Sequence, residues 1–78
     1  MITGAQIKAA RELLGWTRFM LSQRANLHVA IIERAEEIAP GAPPITAYQR
    51  ALLRSALEAA GVEFTNGQEP GVRLRSTK

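Results

Sequence analysis

The chain has 78 residues and no cysteine, and its ten Lys and Arg residues outnumber seven acidic ones, giving a formal net charge of +3. The absence of cysteine excludes disulfides and zinc–thiolate sites and is compatible with a reducing cytoplasm. No apolar run approaches the roughly 20 residues that span a bilayer, and Lys8, Arg11 and Glu12 interrupt the N-terminal segment, which therefore does not resemble a signal peptide. We expect a cytoplasmic protein without membrane contact. Its core is small, so it needs dimerisation or very efficient helix packing.

The first predicted element is a helix that begins after Thr3. Thr3 and Gln6 have the spacing of a capping box, in which each side chain bonds the other residue's main-chain N–H. Apolar residues then recur at helical spacing at Ile7, Ala10, Leu13 and Leu14. Gly15 ends this helix, and Trp16 is predicted to lie in the core or in the seam towards the next helix.

Residues 17–37 contain two short amphipathic segments, 17–24 and 28–37, separated by a three-residue break. Thr17 caps the first segment. In the break, Asn26 tolerates the left-handed conformation that a steep corner requires, and Leu27 can fill that corner. The residues predicted to face inward are Leu21, Ser22, Ile32 and Ala35. This layout is typical of a helix-turn-helix, whose second helix usually lies in the DNA major groove.

The rest of the chain is predicted to be a loop, a helix and a small hairpin. Three prolines and a glycine in residues 38–45 forbid a continuous helix there. Thr46 and Gln49 form a second capping box, which begins a helix at about residues 46–60 whose apolar face is Leu52, Leu53, Ala56, Leu57 and Ala60. After Gly61 the apolar residues alternate around an Asn66-Gly67 turn, which predicts a β-hairpin with one face formed by Val62, Phe64, Val72 and Leu74. A lone hairpin is barely stable, so it must pack on the helices or pair with a second chain.

Spaced matches along nearly the whole sequence resemble the small Cro/C1-type (XRE) family of helix-turn-helix transcriptional regulators. The matching positions are residues 2–11, 14–17, Leu21, Leu27, Ile32, Arg34, Glu36, and residues 57–64 and 70–75. The resemblance implies a mainly α, four- to five-helix, lambda-repressor-like helix-turn-helix domain with a short C-terminal β-hairpin. We expect one domain over residues 1–78, with a helical core at 1–60 and the hairpin and tail at 61–78.

The resemblance also implies which residues approach the DNA backbone. Arg18 stands where the family often has Gln and would contact a phosphate, aided by the N-terminus of its helix. Arg24 is a second candidate for a phosphate contact. His28 replaces the usual Ser or Thr cap of the recognition helix, and it would cap that helix or touch a phosphate. The alternative is that Arg18 and Arg24 are ordinary solvated surface charges.

Four residues of the recognition helix are predicted to lie nearest the base edges. Val29 and Ala30 are apolar and would read only thymine methyl groups or shape. Arg34 is the side chain on this face able to grip guanine with two hydrogen bonds, unless it forms a salt bridge with Glu33 or Glu37. Glu33 would accept a hydrogen bond from a cytosine amine, or pair with Arg34.

Apolar residues on the two central helices depart from the family pattern. Phe19 and Met20 stand where the family carries polar residues, and Ile31 replaces the usual Thr beside Val29. If all four point outward, they form an apolar patch, which more often marks a protein interface than a nucleic-acid one. The alternative is that Phe19 and Met20 fold back under the first helix or the Pro-rich loop.

Two functions of different kinds follow. The first is a sequence-specific transcriptional regulator that binds a double-stranded DNA operator as a homodimer, and that is nucleoid-associated when bound. The second is a helix-turn-helix scaffold repurposed as a protein-binding module, such as an antiactivator, an antitoxin or a mobile-element accessory factor. We expect no enzyme, cofactor or metal site, because Ser22 and Ser55 have no adjacent histidine and the single His28 lacks metal-ligating neighbours.

Overall fold

The computed structural model describes residues 2–38, 41–65 and 71–75. This part of the chain is mainly helical, with four α-helices followed by a two-stranded antiparallel hairpin. The elements are α1 (Gly4–Leu13), α2 (Arg18–Ala25), α3 (Val29–Ala35), α4 (Ala47–Ala59), β1 (Val62–Thr65) and β2 (Gly71–Leu74). None of these helices is long and apolar enough to cross a lipid bilayer.

Side-chain caps fix where the helices begin. The capping boxes predicted at Thr3 and Thr46 are both present, each completed by a glutamine three residues later. Thr17 caps α2 through its hydroxyl, which accepts a hydrogen bond from the N–H of Met20 at 3.1 Å. These three predictions are confirmed, and the helix boundaries differ from the predicted ones by one or two residues because the capping residues lie outside the helices.

One core holds the elements together. The cluster of buried apolar residues consists of Ile2, Ile7, Ala10, Leu21, Ala25, Ile32, Ala35, Ile45, Leu53, Leu57 and Val62. Leu14, Trp16 and Leu27 are partly buried and pack against this cluster, as the sequence predicted. Leu13 is the exception, since nearly half of it is exposed and it does not widen the buried stripe of α1.

The hairpin packs onto the helical part through β2 against α1 and β1 against α4. Its register pairs Val62 with Leu74 and Phe64 with Val72, so these four residues share one face as predicted, although Leu74 remains half-exposed. The predicted Asn66-Gly67 turn lies outside the described residues.

Gln6 couples the beginning of α1 to the end of β1 and the beginning of β2. Its Oε1 accepts from the N–H of Thr3, while its Nε2 donates to the carbonyl oxygens of Thr65 and Gly71, each at 3.1 Å. One buried amide therefore completes a helix cap and anchors both strands, which gives a lone hairpin the support that it requires.

Gly4 marks the closest approach of α1 to the end of α3. A Cβ atom at this position would overlap the main-chain oxygen of Ala35. We therefore expect Gly4→Ala to lower the free energy of unfolding by about 1–3 kcal/mol, the usual cost of overpacking. Urea denaturation followed by circular dichroism measures this change, with Lys8→Ala on the exposed side of α1 as the control. Equal stability of Gly4→Ala and Lys8→Ala would contradict the close approach.

Candidate nucleic-acid interface

The corner between α2 and α3 is built around Asn26. This residue has φ 58° and ψ 44°, in the left-handed region that the sequence predicted for it. The N–H of Leu27 then donates to the carbonyl of Ser22 at 2.9 Å, which closes the last turn of α2. Leu27 packs against the core from inside the corner. The left-handed residue thus lets the chain reverse without exposing the apolar side of either helix.

His28 caps α3 through its imidazole. Its Nδ1 accepts a hydrogen bond from the N–H of Ala30 at 3.0 Å, which confirms the predicted cap. In the neutral ring, use of Nδ1 as an acceptor leaves the hydrogen on Nε2. Because His28 is exposed, that Nε2–H can still donate to an external acceptor such as a phosphate.

The orientation of α3 determines which residues a ligand can reach. Ile32 and Ala35 are fully buried, whereas Ala30 is exposed and Val29 and Glu33 are partly buried. The helix therefore presents its N-terminal turn outward, on the side opposite Ile32. This is the orientation that the sequence predicted, and it places Val29 and Ala30 at the most accessible end of α3.

Arg34 is bound to the Pro-rich loop. Its Nε donates to the carbonyl oxygen of Pro43 at 2.8 Å and its Nη2 to that of Pro44 at 3.0 Å. The predicted alternative of a salt bridge to Glu33 or Glu37 is therefore wrong, because the loop supplies two carbonyl acceptors for the guanidinium fork. The guanidinium of Arg34 would have to break both of these hydrogen bonds before it could bind a guanine.

A buried carboxylate joins the three N-terminal helices. The side chain of Glu36, directly after α3, is 0% exposed and accepts hydrogen bonds from two arginines. Arg11 of α1 binds it in bidentate fashion at 2.8 and 3.2 Å and also donates to the carbonyl of Trp16. Arg18 of α2 donates to it through Nε at 3.0 Å. We call these three residues the Glu36 cluster.

The Glu36 cluster carries one more positive charge than negative charge. Arg11 already neutralises the carboxylate through two hydrogen bonds, so the charge of Arg18 is in excess. The side chain of Arg18 is 34% exposed and commits only its Nε to Glu36. Arg18 is therefore not an ordinary solvated surface charge, which was the alternative prediction. It is not fully buried either.

Arg24 lies over the ring of Trp16, with 4.8 Å between its Cζ and the ring centroid. Trp16 itself lies at the seam between α1 and α2, where it packs against the core, and its outer face forms this cation–π contact. Arg24 is itself exposed, so the contact restricts the guanidinium without hiding it. Arg18 and Arg24 are thus both held by specific partners while part of each side chain faces solvent.

The predicted apolar patch is smaller than the sequence indicated. Phe19 is 60% exposed and Met20 is also exposed, so the alternative in which these two side chains fold back is wrong. Ile31, in contrast, is partly buried and packs against the core, which removes it from the patch. The reason is that α3 turns its Ile31–Ile32 side inward, leaving only Val29 near the surface beside α2.

Sequence reasoning missed the ion pair between Arg11 and Glu36, although a signal was present. Arg11 stands four residues after Ile7 and Glu36 four residues after Ile32, so both charged residues occupy positions of an apolar stripe. Two opposite charges on the buried sides of two helices indicate a buried pair, because an isolated buried charge is too costly.

No protein-family model matches the chain, and no curated protein is significantly similar to it.

Substitutions of Glu36 and of Arg18 should destabilise the fold to different extents. We expect Glu36→Gln to lower the free energy of unfolding by about 3–5 kcal/mol, because it leaves the buried Arg11 without a counter-charge. Arg18→Gln keeps the Arg11–Glu36 pair and should cost about 1 kcal/mol or less. Chemical denaturation of both variants measures the difference. Equal losses would contradict the prediction, because they would mean that the Arg11–Glu36 pair adds nothing to the contact between Arg18 and Glu36.

The left-handed conformation of Asn26 leads to a further prediction about stability. Asn26→Val places a β-branched side chain at positive φ and should cost about 1–2 kcal/mol, whereas Asn26→Gly should stay within about 1 kcal/mol of the natural chain. Thermal unfolding of the two variants tests this order, and a more stable valine variant would be incompatible with the corner.

Proposed function

We propose that this protein is a sequence-specific, double-stranded-DNA-binding transcriptional regulator of the Cro/C1-type helix-turn-helix class, and that it acts as a homodimer. The observation that carries the proposal is the α2–α3 corner, in which a left-handed Asn26 joins two short helices and the second turns its first residues outward. A helix presented in this way fits the B-DNA major groove, which is about 12 Å wide. The exposed end of α3 would enter that groove.

The first turns of α2 and α3 favour an anionic partner. Neither contains an acidic residue, so the partial positive charge of each helix N-terminus is not opposed. Arg18, Arg24 and His28 add donors on the same two helices, and each would contact a phosphate on the DNA backbone. These contacts would position α3 without carrying sequence information.

Sequence information would come from the exposed side of α3. Val29 and Ala30 would contact thymine methyl groups, and Glu33 would accept from a cytosine amine. Arg34 would read a guanine only by exchanging its two proline carbonyls for the base, since its Nε and Nη2 are occupied. One α3 thus offers few specific contacts, which is the reason to propose two copies on a two-fold operator, with half-sites roughly 34 Å apart.

The exposed side of α4 is a candidate surface for this homodimer. Its most exposed residues are uncharged, namely Ala47, Tyr48, Ala51, Ser55 and Ala59, and Tyr48 is 72% exposed. The ion pair between Arg54 and Glu58, whose side chains are 40% and 42% exposed, lies beside them on the same helix. The free edge of the hairpin is the other candidate.

Ala30→Glu tests the proposal, because it separates DNA binding from folding. Ala30 is exposed in the first turn of α3, where a carboxylate stabilises the helix but repels phosphate. Ala5→Glu is the matched control, since Ala5 is exposed at the same position in the first turn of α1. We expect both variants to remain folded, and only Ala30→Glu to weaken binding by at least about ten-fold, or 1.4 kcal/mol.

The measurement is fluorescence anisotropy with duplexes selected by the natural chain from a random pool and with DNA upstream of its own gene. Titration at two salt concentrations separates phosphate contacts from base contacts. Failure of the natural chain to select any duplex, or equal binding by Ala30→Glu and Ala5→Glu, would refute the proposal.

A further inference from the structure

The side chain of Arg34 holds the exposed part of the loop between α3 and α4. Residues 41–44 are all exposed, and Arg34 is the only residue in the described part of the chain that hydrogen-bonds them. Its Nε donates to Pro43 and its Nη2 to Pro44. The next residue, Ile45, is buried in the core, so the loop is fixed independently at its far end. We call the two hydrogen bonds from Arg34 the Arg34 latch.

The loop offers Arg34 the same pair of acceptors as a guanine. Its two carbonyl oxygens bind one edge of the guanidinium, formed by Nε and Nη2, at 2.8 and 3.0 Å. In the major groove, guanine presents two acceptors, O6 and N7, to such an edge. The loop and the base therefore compete for the same two donors, and Arg34 cannot bind both of them through this edge.

Two consecutive prolines keep the carbonyl oxygens of the latch in place. The ring of a proline fixes its own φ near −65° and restricts the preceding residue to extended conformations. Pro43 is restricted in both ways, and Ala42 in the second. The latch therefore forms with little loss of backbone freedom. This makes the loop an effective competitor for Arg34, although both hydrogen bonds lie at an exposed site.

We propose that the Arg34 latch is an autoinhibitory contact, in which the loop occupies Arg34 until a guanine of the operator takes its place and releases the loop. This inference rests on the proposed function and adds a conformational change to it. A duplex without that guanine is bound with the latch closed, so specific and non-specific complexes differ in the loop that leads to α4. The closed latch lowers the apparent affinity for the operator, because part of the binding free energy is used to open it.

Replacement of guanine by 7-deazaguanine in the selected duplexes tests the exchange, since 7-deazaguanine pairs normally but lacks the N7 acceptor. We expect one guanine in each half-site at which this replacement weakens binding of the natural chain at least about ten-fold. Binding by Arg34→Gln should not respond to it. In ¹⁵N NMR spectra, the Nε–H signal of Arg34 and the amide signal of Ala42 should shift with the unmodified duplex and stay in place with the modified one.

Pro43→Ala combined with Pro44→Ala weakens the latch and leaves Arg34 in place. Alanine keeps both carbonyl acceptors but returns conformational freedom to the loop, so the open state gains population. We expect this double variant to bind the selected duplex about two- to five-fold more tightly than the natural chain does. The same two substitutions in Arg34→Gln are the control and should leave affinity unchanged, because no arginine is freed. Unchanged or weaker binding by the double variant would overturn the inference.

These measurements separate failure of the latch from failure of DNA binding. If the natural chain selects no duplex, the proposed function is wrong and the latch falls with it. If the chain binds its selected duplex while the Arg34 and Ala42 signals stay unchanged, DNA binding stands and the latch is overturned. Sensitivity to 7-deazaguanine in that case would mean that Arg34 binds the base through its Nη1–Nη2 edge with the loop in place. Equal sensitivity of the natural chain and Arg34→Gln at every guanine would also overturn the inference.

Discussion

The arrangement of the three N-terminal helices depends on one buried carboxylate. Glu36 directly follows α3, and it binds Arg11 of α1 and Arg18 of α2 through three hydrogen bonds. A buried charge is tolerated only when partners replace its lost hydration, and bidentate binding by Arg11 supplies that replacement. Because the hydrogen bonds of a guanidinium are directional, the Glu36 cluster fixes how α2 and α3 lie on α1. The exposed turn of α3 is a consequence of this arrangement.

The same cluster links the fold to the proposed function. Its second arginine is not needed for neutralisation, so a positive charge is held near the first turn of α2 in a defined position. A preset cation beside a helix N-terminus loses little conformational freedom when a phosphate arrives.

Local features were predictable from the sequence, and contacts between distant residues were not. The caps at Thr3, Thr17 and Thr46 and the left-handed Asn26 follow from residue types a few positions apart, and the structure contains all of them. The two hydrogen bonds from Arg34 to the loop could not be predicted. Every residue has a main-chain carbonyl oxygen, so the sequence does not indicate which of them will accept from the guanidinium.

Contacts of side chains with residues far away in the chain were also not predictable from the sequence. Gln6 was recognised as part of a capping box, but its bonds to the hairpin join residues 59 and 65 positions apart. Helical periodicity assigned Leu13 to the buried stripe and left the burial of Ile31 open, because the direction of a helix face depends on its neighbours. The candidate site was therefore predicted in outline, with the inward side of its second helix oriented correctly. The intramolecular partners of Arg18, Arg24 and Arg34 were not predicted.

An NMR titration of the ¹⁵N-labelled chain with a generic DNA duplex at low salt tests the central claim most directly, since non-specific binding uses the same electrostatic contacts. The outward turn of α3 predicts that the largest amide shifts occur at Val29, Ala30 and Arg18, while α4 and the hairpin stay unchanged. Shifts centred on Arg54, Arg73 and Arg75 instead would place the DNA on the opposite elements and contradict the account.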